Sequence, residues 1–105
     1  MKSSAKLLKA AEIIEKSGWC RGAYKSEEGS FCVLGSIREA NRLYYGFDAY
    51  GNEVSYLIGA YPFKKLSPSN ANMIITEIND TVVQNADDAL LWLRTAAKAA
   101  LDMND

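Results

Sequence analysis

The 105-residue chain has no histidine, and that absence removes more chemistry than any other feature. Ser-His-Asp and Cys-His catalytic arrangements need an imidazole as base. The two cysteines cannot by themselves complete a structural zinc site, which takes four Cys or His ligands. No metal or other cofactor is therefore expected. No apolar run approaches the ~18 residues of a membrane span. The opening MKSSAKLLKAAEIIEKSG lacks a signal peptide's continuous apolar centre and small-residue cleavage site, so a cytoplasmic protein with no membrane contact is expected. An excess of charge is missing too: 12 basic residues stand against 13 acidic ones, a net charge of −1. Nucleic-acid binders usually show a basic patch or stripe. The even balance argues against that partner, although Lys6, Lys9, Arg38 and Arg42 could still gather in the folded chain.

What the chain does have is an ordinary soluble composition, 49% apolar and 24% charged, at the commonest size for a domain. A single domain over residues 1–105 is expected. It can bury roughly 65% of its unfolded surface, so it needs neither disulfide nor metal to fold.

Helical periodicity is clear at both ends. Leu7, Ala11 and Ile14, widened by Leu8 and Ala10, predict an amphipathic helix capped by Ser3 or Ser4 and stopped by Gly18. Asn85, with Asp88 three residues on, resembles a capping box for a last helix from Ala86 to about Asp102. Ala86, Leu90, Leu93, Ala97 and Ala100 form its stripe, with Trp92 at the flank. A helix is also predicted through Val33, Leu34, Ile37, Ala40 and Leu43, capped by Ser30 and ended by Gly46. Gly35 inside it costs about 1 kcal/mol relative to alanine, which points to close approach by another backbone or a change from strand to helix. Ser67-Pro68 reads as the start of a further helix, with Ala71, Ile74, Ile75 and Ile78 as its stripe, ending near Asn79-Asp80. Between these, Phe47 to Leu66 fits either a hairpin about Gly51-Asn52 or a short helix with Val54, Leu57, Ile58 and Tyr61 on one face. The helix is preferred.

The stretch Gly18 to Ala40 organises the rest. It holds both cysteines, a tryptophan and four of the seven glycines. Trp19 to Tyr24 reads as a strand, Ser26-Glu27-Glu28-Gly29 as a turn, and Phe31 as the return. The fold class expected is α+β: about four helices packed around a short β-hairpin.

Several residues carry functional readings. If the hairpin closes, Cys20 and Cys32 lie on its opposing strands; their distance is left open, and burial as reduced, apolar side chains is preferred over a disulfide. Cys32 at a helix N-terminus could be a nucleophile, but no histidine can serve it. Trp19 should pack on the first and last helices or offer a stacking platform. Arg21 can point to solvent, pair with Glu27 or Glu28, or present its planar fork to a phosphate or carboxylate. Asn79 and Asp80 end a helix, and Asp80 can reach the N–H groups of Gly18–Gly22 or a ligand there. A pairing of Glu77 with Asp80 reads as a solvated face before it reads as a catalytic pair. Of six tyrosines, Tyr44, Tyr45, Tyr50, Tyr56 and Tyr61 cluster in the middle, and tyrosine is enriched at interfaces.

Gly18-Trp19-Cys20-Arg21-Gly22-Ala23, then Gly29-Ser30-Phe31-Cys32-Val33-Leu34-Gly35-Ser36-Ile37, then Ile78-Asn79-Asp80-Thr81 resembles the pattern of a family of small, functionally uncharacterised bacterial and phage proteins. The likeness covers roughly residues 1–40 and 70–100, with isoleucine in place of the usual aromatic before Asn-Asp. It implies a phage, prophage or other bacterial setting and a reducing compartment, and no activity. The expected function is a small non-catalytic binding protein of phage or mobile-element origin, which occupies a host protein or sequesters a small ligand and so blunts host defence. Trp19, Arg21, Tyr44, Tyr45, Tyr50, Tyr56, Asn79 and Asp80 are its expected contact residues. The alternatives are a small enzyme using Cys32 or the Asp80 carboxylate, and a nucleic-acid-binding accessory protein.

Overall fold

The computed structural model describes residues 1–59 and 71–105, which form five helices: α1 (Ser3–Ser17), α2 (Val33–Tyr45), α3 (Glu53–Gly59), α4 (Ala71–Thr81) and α5 (Ala86–Asp102). The Ser67-Pro68 start and Tyr61 lie outside the described residues. No strand occurs among the described residues, so the α+β expectation is corrected to an all-helical fold. The reason is local. Phe31 makes one parallel pairing with Trp19 and one antiparallel pairing with Lys25, and neither can grow into a ladder. Cys32, the next residue, is already the N-cap of α2, and the outgoing chain bends through Gly22 at φ +77°. A return strand one residue long is not a hairpin.

The apolar stripes set the packing. α1 lies against α5 and α2, α3 against α5 and α4, and α4 against α2. Leu7, Ile14, Leu34, Ile37, Leu57, Ile75, Ile78, Trp92 and Leu93 are buried where these faces meet. Burying a side chain of this size contributes about 1.5–3 kcal/mol. Trp92 is fully buried, not at the flank, and its indole N–H donates to the Leu57 carbonyl at 2.8 Å, tying α5 to α3. Leu8 and Leu43 leave their stripes and are exposed.

Helix ends follow capping physics with three substitutions of partner. α1 ends at Gly18, φ +95°, whose N–H returns to the Ile14 carbonyl at 2.8 Å. At its start neither Ser3 nor Ser4 caps: the Ser3 N–H goes to the Asp105 carboxylate at 3.1 Å and the Ser4 N–H to the Asp105 carbonyl at 2.8 Å. α2 ends at Gly46 in the left-handed region, as expected, but is capped by the Cys32 thiol, which accepts from the Gly35 N–H at 3.2 Å, and not by Ser30. At α5 Asn85 accepts from the Asp88 N–H at 2.9 Å, while Asp88 reaches back to the Gln84 N–H at 3.0 Å, one residue before the usual target of a capping box.

A charged pair is sealed into this core. Glu53, at the start of α3, is fully buried, and accepts from the Asn41 amide at 2.6 Å and the Gly51 N–H at 2.9 Å. The Lys6 ammonium stands 3.6 Å away and is itself buried. Burial pulls the Lys6 pKa down, but the Tyr45 hydroxyl and the Glu53 carboxylate outweigh it and the net shift is upward. Removing one member strands the other, which typically costs about 3–5 kcal/mol. Glu53→Ala is expected to lower stability by that amount in urea unfolding. Replacing both residues by apolar ones of similar volume should restore most of it. A loss below about 1 kcal/mol in the single variant would show that Lys6 escapes to water.

Candidate functional site

Asn79 is the junction at which the Gly18–Phe31 loop is fastened to the helices. It sits in the last turns of α4 and is fully buried. Its Oδ1 accepts from the Trp19 indole at 2.8 Å and from the Val33 N–H at 2.9 Å. Its Nδ2 donates to the Cys20 carbonyl at 3.1 Å and to Asp80 at 3.0 Å. One amide thus uses both donors and its acceptor to join the loop, the first N–H of α2 and α4. A buried amide earns its place only when such partners are complete.

Asp80 extends the junction outward: its Oδ1 accepts from the Gly22 N–H at 3.1 Å, one of the partners expected from the sequence. Arg21 turns to neither Glu27 nor Glu28. It donates to the Val83 carbonyl, beyond the end of α4, and its guanidinium stands 5.3 Å from the Trp19 ring centroid. Trp19, Arg21, Asn79 and Asp80 are therefore brought together; the Trp19 indole N–H and the Asn79 amide are engaged within the junction, while Arg21 stays exposed and bonds through one nitrogen and Asp80 through Oδ1. Glu77 is exposed and takes no part in this junction.

The cysteines are both reduced. Cys32 is 1% exposed, and burial pushes its thiol up to about 11 in spite of the Gly35 N–H that favours the thiolate. Cys20 is half-buried, and burial raises its thiol as well. Only the thiolate is a good nucleophile, and at neutral pH a group near 11 holds roughly one part in ten thousand in that form. In the folded protein Cys32 is expected to react with a maleimide or disulfide probe at least 100-fold more slowly than in the unfolded chain. Rapid labelling in the folded state would contradict its burial.

The four cations that could have gathered into a basic patch are each paired with a carboxylate. Lys6 faces Glu53, Lys9 faces Glu12 at 3.6 Å, Arg38 faces Asp48 at 2.7 Å, and Arg42 faces Glu39 at 2.8 Å.

The tyrosines separate into two groups. Tyr44 and Tyr45 end α2 and pack edge to face, ring centroids 4.7 Å apart. Gly46 then reverses the chain, and Phe47 stacks on Tyr45 at 5.9 Å. Leu43, Tyr44, Tyr45 and Phe47 are 55%, 50%, 44% and 62% exposed, an apolar face of large side chains turned to water. Asp48 follows directly and pairs with Arg38, which lies 4.4 Å over the Tyr24 ring. Tyr50 stands beside Tyr24 and Arg38, its hydroxyl pushed up to about 12, chiefly by burial. Here a cleft of about 310 Å³ opens between Lys25, Phe31, Arg38, Arg42, Glu39 and Asp48. Tyr56 belongs elsewhere: it packs against the core, and its hydroxyl pKa is raised by burial and by the nearby Asp105 carboxylate. Sequence reasoning reached Tyr44, Tyr45 and Tyr50 through tyrosine enrichment. It missed Leu43, Phe47, Tyr24 and Arg38. Gly46 was the available signal for the first two, since a helix stop there folds Phe47 back on the last turn.

A family model described as a family of unknown function (DUF6197) matches residues 2–99, and the chain belongs to that family. The match runs through residues 44–68, which the motif comparison had left out. No curated protein and no solved structure matches the chain.

Proposed function

We propose that this member of DUF6197 is a non-catalytic binding protein whose working surface is the aromatic face at the end of α2: Leu43, Tyr44, Tyr45 and Phe47, with Tyr50 and the Arg38 cleft at its edge. The partner class is a protein. In the phage or mobile-element setting that the motif resemblance implies, it is a host protein in the cytoplasm, whose occupation would blunt host defence.

The observation that carries this reading is the exposure of four large side chains close together in sequence, of which Tyr44, Tyr45 and Phe47 pack ring to ring. Contiguous apolar faces rimmed by charge are where proteins meet partners, and tyrosine supplies contact area and a hydrogen bond at small entropic cost. The rim here is charged on both signs, through Arg38, Arg42, Glu39 and Asp48. The Trp19–Asn79 junction supports the reading indirectly, because it is consumed in holding the loop that carries Tyr24 and Lys25. The enzymatic alternative has less to stand on, with Cys32 buried and protonated and Asp80 bonded to Gly22.

The test is a paired variant, Tyr44→Ser with Phe47→Ser, used beside the parent chain as bait in a bacterial lysate. The reading expects unchanged thermal unfolding and loss of whichever protein the parent captures stoichiometrically. Equal capture by parent and variant would move the working surface elsewhere on the molecule.

A further inference from the structure

Cys20 and Cys32 lie in adjacent register although neither is oxidised. The Phe31 N–H donates to the Gly18 carbonyl at 3.0 Å and the Cys20 N–H to the Phe31 carbonyl at 3.1 Å. These two bonds define the parallel pairing of Trp19 with Phe31. The next residue along each segment is a cysteine. In parallel pairing, residues one step beyond a bridge leave on one face, opposite to that of the bridge pair, and Cys32, still in extended backbone as the N-cap of α2, follows Phe31 on that face before the helix begins. The spacing of paired chains is about 4.8 Å, which falls within the roughly 4.4–6.8 Å between Cα atoms that a disulfide spans. A further contact agrees with this placement: the Cys20 thiol donates to the Ser30 carbonyl at 3.5 Å, two residues before Cys32.

We propose that Cys20 and Cys32 are an oxidisable dithiol, closed to an intramolecular disulfide by exchange with a small-molecule disulfide such as oxidised glutathione. Cys20 is the entry point, because it is half-buried while Cys32 is sealed. The Cys20 thiolate attacks one sulfur of oxidised glutathione, forms a mixed disulfide and expels one glutathione thiolate. The Cys32 thiolate then attacks the Cys20 sulfur, forms the Cys20–Cys32 bond and expels the second glutathione thiolate. The two thiol protons end on the two glutathiones, and the two cysteines are oxidised as one disulfide is reduced. Raised thiol pKa values leave little thiolate at neutral pH, so closure is slow near neutrality and faster at alkaline pH; the same thiols are poor leaving groups, so the disulfide once formed resists reduction.

Closure encircles Tyr24, Lys25 and Phe31. Lys25 and Phe31 line the cleft and Tyr24 carries Arg38. Besides the Asn79 and Asp80 contacts, this loop is held by Arg21 on the Val83 carbonyl, by the Ser30 hydroxyl on the Ser17 carbonyl and by the two isolated pairings, and a covalent tie would add to these at the cleft wall beside the aromatic face.

The test incubates the purified chain with oxidised glutathione at mildly alkaline pH, quenches with acid, and maps disulfides by mass spectrometry of unreduced peptides. The expected product has lost the mass of two hydrogens, joins the Cys20 and Cys32 peptides, and unfolds at least about 5 °C higher than the reduced chain, reversibly with dithiothreitol. Cys32→Ser is expected to stop at a glutathione adduct on Cys20. Stable glutathione adducts on the parent chain, or two thiols that survive while Cys32→Ser forms its adduct, would overturn the proposal. So would a cross-link only between chains.

Discussion

Asn79→Ala should rank with Glu53→Ala among the most damaging polar substitutions in the molecule, costing about 4 kcal/mol or more. Three groups lose their partner among the described residues together: the Trp19 indole N–H, the Val33 N–H and the Cys20 carbonyl. Each unsatisfied buried group costs about 1–3 kcal/mol, and the whole fold of a domain this size is worth about 5–15. The Val33 N–H matters most, because it is an orphan donor at the start of α2 that water cannot replace while Val33 is fully buried. A fall in Tm of at least about 15 °C is expected, measured by circular dichroism. Trp19→Phe is the calibrating variant. It removes one donor and leaves Asn79 bonded to Val33, so it should cost only about 1 kcal/mol plus any loss of packing. Asn79→Ala behaving no worse than Trp19→Phe would mean that the junction is not cooperative.

Gly35→Ala sets two physical effects against each other, and their signs differ. Helix propensity alone makes alanine better by about 1 kcal/mol at an interior helical position. A Cβ at Gly35, however, would fall 1.9 Å from the Tyr24 carbonyl oxygen and 2.7 Å from its carbon. Those atoms are backbone and cannot rotate away. The loop would have to lift from α2, breaking the bond from the Cys32 N–H to the Tyr24 carbonyl at 3.3 Å and moving Arg38's aromatic support. Overpacking of this kind costs about 1–3 kcal/mol where neighbours can adjust, and more is expected here. Gly35→Ala should therefore destabilise by about 3 kcal/mol or more in urea unfolding. A variant more stable than the parent would mean that the loop does not rest on α2 at all.

That glycine also shows what could be read from the chain alone. A glycine inside a helical period has to be explained, and of the two readings open, close approach by another backbone is the one the Tyr24 carbonyl supplies. The same holds for Asp80 reaching the Gly18–Gly22 segment, for Gly46 as the stop of α2, and for Asn85 as the cap of α5. In each, the residue type narrows the physical uses open to that position to two or three. The hairpin failed because its signals were shared. Gly29 in a polar turn between apolar segments fits a hairpin, yet it equally fits a tight loop whose return ends at a helix cap. Only knowing that Cys32, and not Ser30, caps α2 separates the two, and a thiol is too weak an acceptor to be the first choice. Lys6 and Glu53 were illegible for a different reason. A lysine on a helix and an acid in a first turn look like solvated charges until tertiary packing seals both. Asp105 capping α1 joins residues about a hundred positions apart, which no local rule reaches. For the aromatic face, composition marked the tyrosines, but the neighbours that make them a surface, Leu43 and Phe47, depended on how the chain leaves Gly46.

The central claim is that the Gly18–Phe31 loop is framework, cooperative with the helices, and that recognition belongs to the face beside it. Native-state hydrogen exchange resolved by residue tests this most directly, because it compares the Trp19 indole and Val33 amide with amides deep in α5 such as Ala96. The account predicts that all three exchange only when the whole domain unfolds, with opening free energies that agree within about 1 kcal/mol. A Trp19 indole and Val33 amide exchanging orders of magnitude faster than Ala96 would contradict it, and would make the groove around Asn79 an independently opening site.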